Sequence, residues 1–169
     1  MGSLFNAIQK AFDASGWAFE VVSGREVIQT SFDAHHTCIP VHVQCFEPIG
    51  CVHVVSTSSH VFQPYHRLKV AELLLRSSQI MTLGNFEYSW DQGQVLYRAT
   101  NLFDMEQSFP DKVLQSMVHA AVAEMDRMTP QLAEIAKTTS VEVARIDVAH
   151  LMLREDWIPP VPEPEAETP

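Results

Sequence analysis

The stretch NFEYSWDQGQVLYRATNL, residues 85–102, decides the fold of this chain. Apolar and polar residues alternate on both sides of a polar break, which is the pattern of two half-buried β-strands joined as a hairpin. If Gln92 and Gly93 form a two-residue turn, that turn sets how the two strands pair. One side of the hairpin then carries the apolar pairs Trp90–Val95, Tyr88–Tyr97 and Phe86–Ala99. On the other side Glu87 lies opposite Arg98, a favourable cross-strand pair.

The segment before this hairpin is typical of a helix, three strands and a second helix. Ser3 is a candidate cap for the first helix, and Gly16 is available to end it. Short turn signals then divide a run rich in Val, Ile, Thr, Phe and Cys into strands at 26–32, 39–46 and 51–57. The second helix begins after Pro64 and is closed by Gly84. A broad apolar face is predicted for it from Leu68, Val70, Ala71, Leu73, Leu74 and Leu75.

A long helix follows the hairpin. It begins at about Pro110, with Ser108 as its cap. Pro130 removes a backbone donor and clashes with the preceding turn, so we expect the helix to end or kink there and to resume over PQLAEIAK, residues 130–137. The order of elements predicts an α+β fold, in which an antiparallel sheet of about five strands has helices on one face.

The end of the chain differs in composition from the rest. Thr139 and Glu142 form a capping box that predicts a last helix over roughly 141–155. The final stretch, IPPVPEPEAETP, is rich in Pro and Glu, which predicts an acidic, disordered tail. We therefore divide the chain into an α+β domain over 1–137, an additional C-terminal helix over 138–157 and a tail over 158–169.

The overall composition excludes several classes of protein. A chain of 169 residues, of which 46% are hydrophobic and 19% charged, is long enough and apolar enough for one folded domain. Its net charge of −10 and its scattered Lys and Arg residues argue against binding to a phosphate backbone. An odd number of cysteines, three, favours a reducing compartment. With no signal peptide and no long apolar run, we expect a cytoplasmic protein that has neither nucleic acid nor a membrane as partner.

The stretch AHHTCIPVHVQCFEPIGCVHVVSTSSH, residues 34–60, is unusually rich in His and Cys. One interpretation is a metal-binding or metal-sensing site over 35–53, built from His42, Cys51 and His53 with help from His35 or Cys38. The ligand spacings do not match those of known zinc sites, however. The second interpretation is a β-hairpin that turns at residues 47–50. One face of that hairpin would carry Val41, Val43, Cys45, Val52 and Val54, and the other His42, Gln44, Cys51 and His53.

No catalytic motif accompanies these residues. The chain contains no GxSxG, P-loop, GxGxxG or HExxH pattern. The sequence therefore assigns no catalytic residue and no cofactor, and it predicts a protein that is not an enzyme.

A longer stretch, VAELLLRSSQIMTLGNFEYSWDQGQVLYRATNLF over residues 70–103, resembles the YbjN family of bacterial proteins. The resemblance rests on Gly84-Asn85-Phe86-Glu87 at the start of one strand and on Val95-Leu96-Tyr97-Arg98 in the next. PQLAEIAK also resembles the end of a helix in that family. The similarity covers roughly residues 4–137, and the segment 138–169 has no obvious counterpart.

This resemblance implies an α+β domain like that of the type III secretion chaperones, with an antiparallel sheet backed by helices. Dimers are common in that fold, and the family, described as sensory-transduction regulators, offers no catalytic residues to carry over. The sequence thus predicts a chaperone-like or regulatory adaptor that acts as a homodimer and binds another protein. The candidate contact residues are Phe46, Phe62, Ile146, Leu153 and Trp157.

Overall fold

The computed structural model describes residues 2–104, 109–138 and 140–152. Four helices lie in this part of the chain: α1 (Ser3–Ala14), α2 (Arg67–Ser78), α3 (Asp111–Lys137) and α4 (Val148–Met152). Six strands accompany them: β1 (Glu20–Val21), β2 (Val27–Asp33), β3 (Cys38–Phe46), β4 (Cys51–Val61), β5 (Asn85–Ser89) and β6 (Gln94–Leu102). Gly16 ends α1 in the left-handed conformation, with a φ of 68°, as its position in the sequence predicts.

The strands form one antiparallel sheet in the order β1-β2-β3-β4-β6-β5. The predicted α+β class is confirmed, and so are the three strands before α2 and the hairpin after it. The sheet has six strands rather than about five, because Glu20 and Val21 pair with Gln29 and Ile28 near the start of β2. A strand of only two residues is too short to show an alternation of apolar and polar side chains, so the sequence does not reveal it.

The helices pack on one face of the sheet. α3 lies against β3, β4 and β6, α2 lies against β5, and α1 packs on α3. Ser56 marks the covered face, because its hydroxyl donates a hydrogen bond of 2.6 Å to the backbone carbonyl of Ala121 in α3. The opposite face of the sheet, called here the open face, keeps Gln29, Pro40 and Thr100 exposed.

The register of the β5–β6 hairpin differs from the prediction by two residues. Tyr88 pairs with Val95 and Phe86 with Tyr97, because residues 90–93 form a four-residue connection in place of a two-residue turn. Within this connection the amide of Gly93 donates to the carbonyl of Ser89 at 2.7 Å. A shift of two residues leaves the paired side chains of both strands on their predicted faces, while Trp90, predicted opposite Val95, lies in the connection instead.

α3 is a single helix of 27 residues with Pro130 inside it, so the predicted break at Pro130 is wrong. Proline in a helix interior costs about 3 kcal/mol, but its exposed ring here faces solvent. Met125 and Met128 before the proline and Leu132 and Ile135 after it are all completely buried. The packing of this continuous stripe outweighs the local cost.

The last helix begins later than the sequence predicts. Val143–Arg145 forms one 3₁₀ turn, and α4 follows only at Val148–Met152, so no continuous helix starts at 141. The predicted caps Ser108 and Thr139, and residues 153–169 with the expected tail, lie outside the described residues. In the described ranges no helix combines the length and apolarity needed to cross a bilayer.

Candidate functional site

The His- and Cys-rich stretch forms the β3–β4 hairpin at the centre of the sheet. Cys45 pairs with Val52 and Val43 with Val54, as predicted. The connection is a 3₁₀ turn over Glu47–Ile49 followed by Gly50, which has a φ of 61°. Val41, Val43, Cys45, Val52 and Val54 lie on the covered face, and His42, Gln44, Cys51 and His53 lie on the open face, so the predicted division between the two faces is confirmed.

The predicted metal candidates share the open face without converging. His42 is paired with Val55 and His53 with Gln44, while the Cys51 side chain is buried, with 4% exposed. His53 Nδ1 already accepts a hydrogen bond from Arg98 Nη1 at 3.2 Å. Within residues 2–104, 109–138 and 140–152, only one group of three potential ligands has its atoms within 4.8 Å of one another, and it contains none of these three residues.

That group consists of Glu26, Cys45 and Glu47, and it holds the N-terminus of α1. Glu26 Oε1 accepts a hydrogen bond from the amide of Gly2 at 3.0 Å, and Glu47 Oε1 accepts one from the amide of Phe5 at 2.7 Å. The positive end of the α1 dipole favours these carboxylates and disfavours a cation beside them. Burial, followed by the charges of Glu47 and Glu26, raises the pKa of Cys45 to about 12, so its thiol stays protonated. The arrangement fits a helix cap better than a metal centre.

A polar cluster occupies the middle of the open face. The guanidinium of Arg98 makes two hydrogen bonds to the Glu87 carboxylate, at 2.7 and 2.9 Å, which lower the pKa of Glu87 and raise that of Arg98. Burial, together with the positive charge of Arg98, lowers the pKa of both His42 and His53 below 6.5. Both imidazoles are therefore kept neutral near pH 7, and the cluster acts as a fixed polar lining of the sheet.

The outer side of α2 carries a group of exposed apolar side chains. Tyr65 is 67% exposed, Leu68 78% and Leu75 70%. Leu68 and Leu75 are seven residues apart on one side of the helix, and Tyr65 lies in the 3₁₀ turn Pro64–His66 just before it. We call these three side chains the α2 ridge. The broad apolar face predicted for α2 is buried at Val70, Leu73 and Leu74 but exposed at Leu68 and Leu75.

The width of the apolar pattern in α2 is the signal that reveals this ridge. Residues 68, 71 and 75 lie about half a turn away from residues 70, 73 and 74, so one contact with the sheet cannot cover both sets. Near one end of the ridge, Trp90 is 49% exposed and lies 5.4 Å from the guanidinium of Arg67. Beyond the helix, Ile80 and Leu83 are also exposed.

The predicted contact residues that the structure describes do not gather at one surface. Phe46 is half-buried on the open face, with its ring 4.8 Å from that of His53. Phe62 is 2% exposed and belongs to the core, so it is not available at the surface. Ile146 is half-buried, and Leu153 and Trp157 lie outside the described residues.

The segment 141–152 packs against α2 and α3. Lys69 Nζ donates to the carbonyl of Val141 at 2.6 Å, and Arg127 Nη1 donates to that of Met152 at 2.7 Å. The side chains of Val143 and Met152 are buried. The described chain therefore ends beside the helix that carries the exposed ridge.

Three solved structures have a similar fold. The crystal structure of YbjN from E. coli superposes with a TM-score of 0.56 and 8% identity, over 77% of this chain and 91% of YbjN. A chain of the ExsC–ExsE complex gives a TM-score of 0.52 with 10% identity, over 76% of this chain and 92% of its own length. A chain of the HopA1–SchA chaperone–effector complex gives 0.53 with 9% identity, over 76% and 94%. No family model and no curated protein sequence matches the chain.

These similarities show the fold. The chain has the architecture of YbjN and of the type III secretion chaperones, an antiparallel sheet with helices, as the resemblance in residues 70–103 implies. At identities of 8–10% the similarity does not transfer individual residues or partners.

Proposed function

We propose that this chain, which has the fold of YbjN and of type III secretion chaperones, is a non-enzymatic protein-binding module. It acts as a chaperone-like or regulatory adaptor, as a homodimer in the cytoplasm of a bacterial cell. The α2 ridge is its contact surface for a protein partner.

The exposure of Leu68 and Leu75 carries this proposal. Both side chains are at least 70% exposed on a helix whose other side is fully packed, so the ridge has no structural role within the described domain. Covering a leucine side chain is worth about 1.5–3 kcal/mol. A ridge with two leucines and a tyrosine suits an apolar segment of another protein, as in helix-in-groove recognition.

The similar structures support the same class of function. Two of the three are complexes of two proteins, and one of them is described as a chaperone bound to its effector. The polar cluster around Arg98 gives no comparable support for catalysis, because its guanidinium is already held by two hydrogen bonds to the Glu87 carboxylate.

Native mass spectrometry of the full chain, isolated gently from its own cells, tests the ridge. We expect a mass of twice 19.0 kDa together with a second polypeptide. The double variant Leu68→Asp/Leu75→Asp should lose that polypeptide and keep the dimer. Leu102→Asp is the matched control, since Leu102 is 69% exposed on β6 at the other side of the molecule, and this variant should keep both. Retention of the second polypeptide by the double variant would refute the assignment of the ridge.

The C-terminal segment is the proposed contact between the two copies. Val143 and Met152 are buried, and Ile146 packs against the same core but stays half-buried, while Ala149 is exposed. The accessible side of the segment, with Ile146 at its border, is the surface that we assign to a second subunit. Deletion of residues 140–169, or the milder change Ile146→Asp, should shift the protein from dimer to monomer in light scattering. An unchanged dimer in both variants would remove this segment from the interface.

A further inference from the structure

We propose that residues 153–169 of this chain bind the α2 ridge of the same molecule and compete there with the protein partner. The inference rests on the proposed function, since it assigns a regulator to the same surface. Three observations that the proposed function does not use support it: the place where the described chain ends, the length of the remaining residues and the charge on α2.

The end of the described chain places the remaining residues next to the ridge. Arg127 holds the carbonyl of Met152 against α3, and the 141–152 segment already packs on α2. The 12 residues of α2 span about 18 Å. Nine extended residues reach about 30 Å, so the stretch 153–161 is long enough to run along the whole ridge from this anchor.

The chemistry of the remaining residues matches the surface. The stretch 153–161 carries Leu153, Trp157, Ile158 and Val161, enough apolar side chains to cover two leucines and a tyrosine. Its two prolines reduce the conformational freedom that the segment loses when it binds.

The charges are also complementary. α2 contains Arg67, Lys69 and Arg76 against one acidic residue, Glu72, a net charge of +2 within a chain of net charge −10. Residues 153–169 contain five acidic residues and one Arg, a net charge of −4. The acidic end of the segment is therefore attracted to the helix that carries the exposed ridge.

A tethered segment needs only weak affinity to occupy this site. Short linkers give effective concentrations on the order of 1 mM, so a contact with a dissociation constant of about 0.1 mM would cover the ridge roughly nine-tenths of the time. A partner would then bind about tenfold more weakly than it would to an uncovered ridge. A partner with a stronger apolar segment displaces the chain's own residues.

Hydroxyl-radical footprinting of the isolated full-length protein measures this directly. The rates of modification of Leu68 and Leu75 are compared between the natural chain and the full-length variant Trp157→Ser/Ile158→Ser/Val161→Ser. We expect the variant to raise both rates by up to about tenfold, because it uncovers the ridge. Leu102 serves as the internal reference, and its rate should not change.

A matched control separates the apolar contact from general changes in the segment. The variant Pro162→Ser/Pro164→Ser/Thr168→Ser makes three substitutions that leave the apolar side chains in place, and it should keep the slow rates of the natural chain. Equal rates in the natural chain and the Trp157/Ile158/Val161 variant would overturn the proposal. Slow rates that rise on dilution would overturn it as well, since a second copy would then cover the ridge.

The two proposals fail in different ways. Footprinting is carried out without a partner, so it reports only whether residues 153–169 cover the ridge. If the ridge is open in the natural chain but the Leu68→Asp/Leu75→Asp variant loses the partner, the proposed function stands and the competing segment does not. If the ridge is covered but no partner depends on it, residues 153–169 do bind the ridge, whereas the proposed function and the competition at this surface both fail.

Discussion

Glu47 Oε1 accepts a hydrogen bond from the backbone amide of Phe5, 42 residues earlier in the chain, at 2.7 Å. This bond joins the turn between β3 and β4 to the first turn of α1, which has no side-chain cap of its own. The carboxylate thus supplies the acceptor that a cap residue such as Ser or Asp usually provides. This end of the His- and Cys-rich hairpin therefore has a structural role in the contact between sheet and helix.

Loss of this carboxylate should lower the free energy of unfolding. Glu47→Ala leaves the Phe5 amide partly buried without its charged acceptor, which costs about 2 kcal/mol. Urea denaturation measures the change. Glu142→Ala is the control, because Glu142 is 61% exposed in its pair with Arg145 and should change stability by less than about 0.5 kcal/mol. Equal effects of the two variants would contradict the role of Glu47 as a cap.

Gly84 should tolerate a larger side chain poorly. It has a φ of 67°, and a Cβ there would lie 2.5 Å from the Tyr97 hydroxyl and 2.6 Å from the carbonyl oxygen of Arg98. The Tyr97 hydroxyl is itself fixed by a hydrogen bond to the carbonyl of Leu83, so it cannot move away without losing a partner. Gly84→Ala should therefore cost more than the strain of a positive φ alone, about 3 kcal/mol in total.

Gly16→Ala is the matched control for this substitution. Gly16 has nearly the same φ, 68°, but nothing lies within 4 Å of the point that a Cβ would occupy, so only backbone strain of about 1 kcal/mol remains. The difference between the two variants in urea denaturation isolates the contact with Tyr97. Similar losses for both would show that this close approach contributes little.

The sequence predicted those parts of the fold that depend on short-range patterns. Alternation placed the faces of the β3–β4 hairpin correctly, because one residue of slippage would have moved its valines out of the core. It misplaced the β5–β6 register by two residues, since a shift of two preserves both faces and only the turn over residues 90–93 distinguishes the registers. The exposure of Leu68 and Leu75 was hidden because a hydropathy pattern reports apolar character and not which element covers it.

Acidification should destabilise the protein through the open face. The pKa of His42 and His53 is lowered from 6.5 in the folded chain, by burial first and then by Arg98. Between those lowered values and 6.5 the unfolded chain binds more protons, so the free energy of unfolding is fully present above pH 6.5 and falls as pH drops through the folded pKa values. Thermal denaturation between about pH 7.5 and pH 5 should show this fall.

The double variant His42→Gln/His53→Gln should have a flatter pH profile over this range. His150→Gln is the control, because His150 is exposed at the surface of α4, and its profile should match that of the natural chain. Glu87 contributes in a different window: its pKa is lowered from 4.5, so its stabilisation is lost only as pH falls below that value. A natural chain whose stability is constant from about pH 7.5 to pH 5 would contradict the influence of burial on the two histidines.

Cys38 and Cys45 should react with alkylating reagents at very different rates. Cys38 is exposed on β3, whereas the Cys45 side chain is buried beside Glu47 and Glu26, and this burial, followed by the two negative charges, raises the pKa of Cys45 to about 12. At pH 8 a thiol with that pKa is ionised in only about one molecule in 10⁴, and the thiolate is the reactive form. Iodoacetamide followed by peptide mass spectrometry should label Cys38 and leave Cys45 unmodified in the folded protein.

Both cysteines should react after denaturation in urea. The variant Glu47→Gln should speed the labelling of Cys45, because it removes one of the negative charges that oppose ionisation of the thiol. Labelling of Cys45 as fast as Cys38 in the folded chain would mean that the two carboxylates do not enclose the thiol, and Cys45 would then be available as a metal ligand.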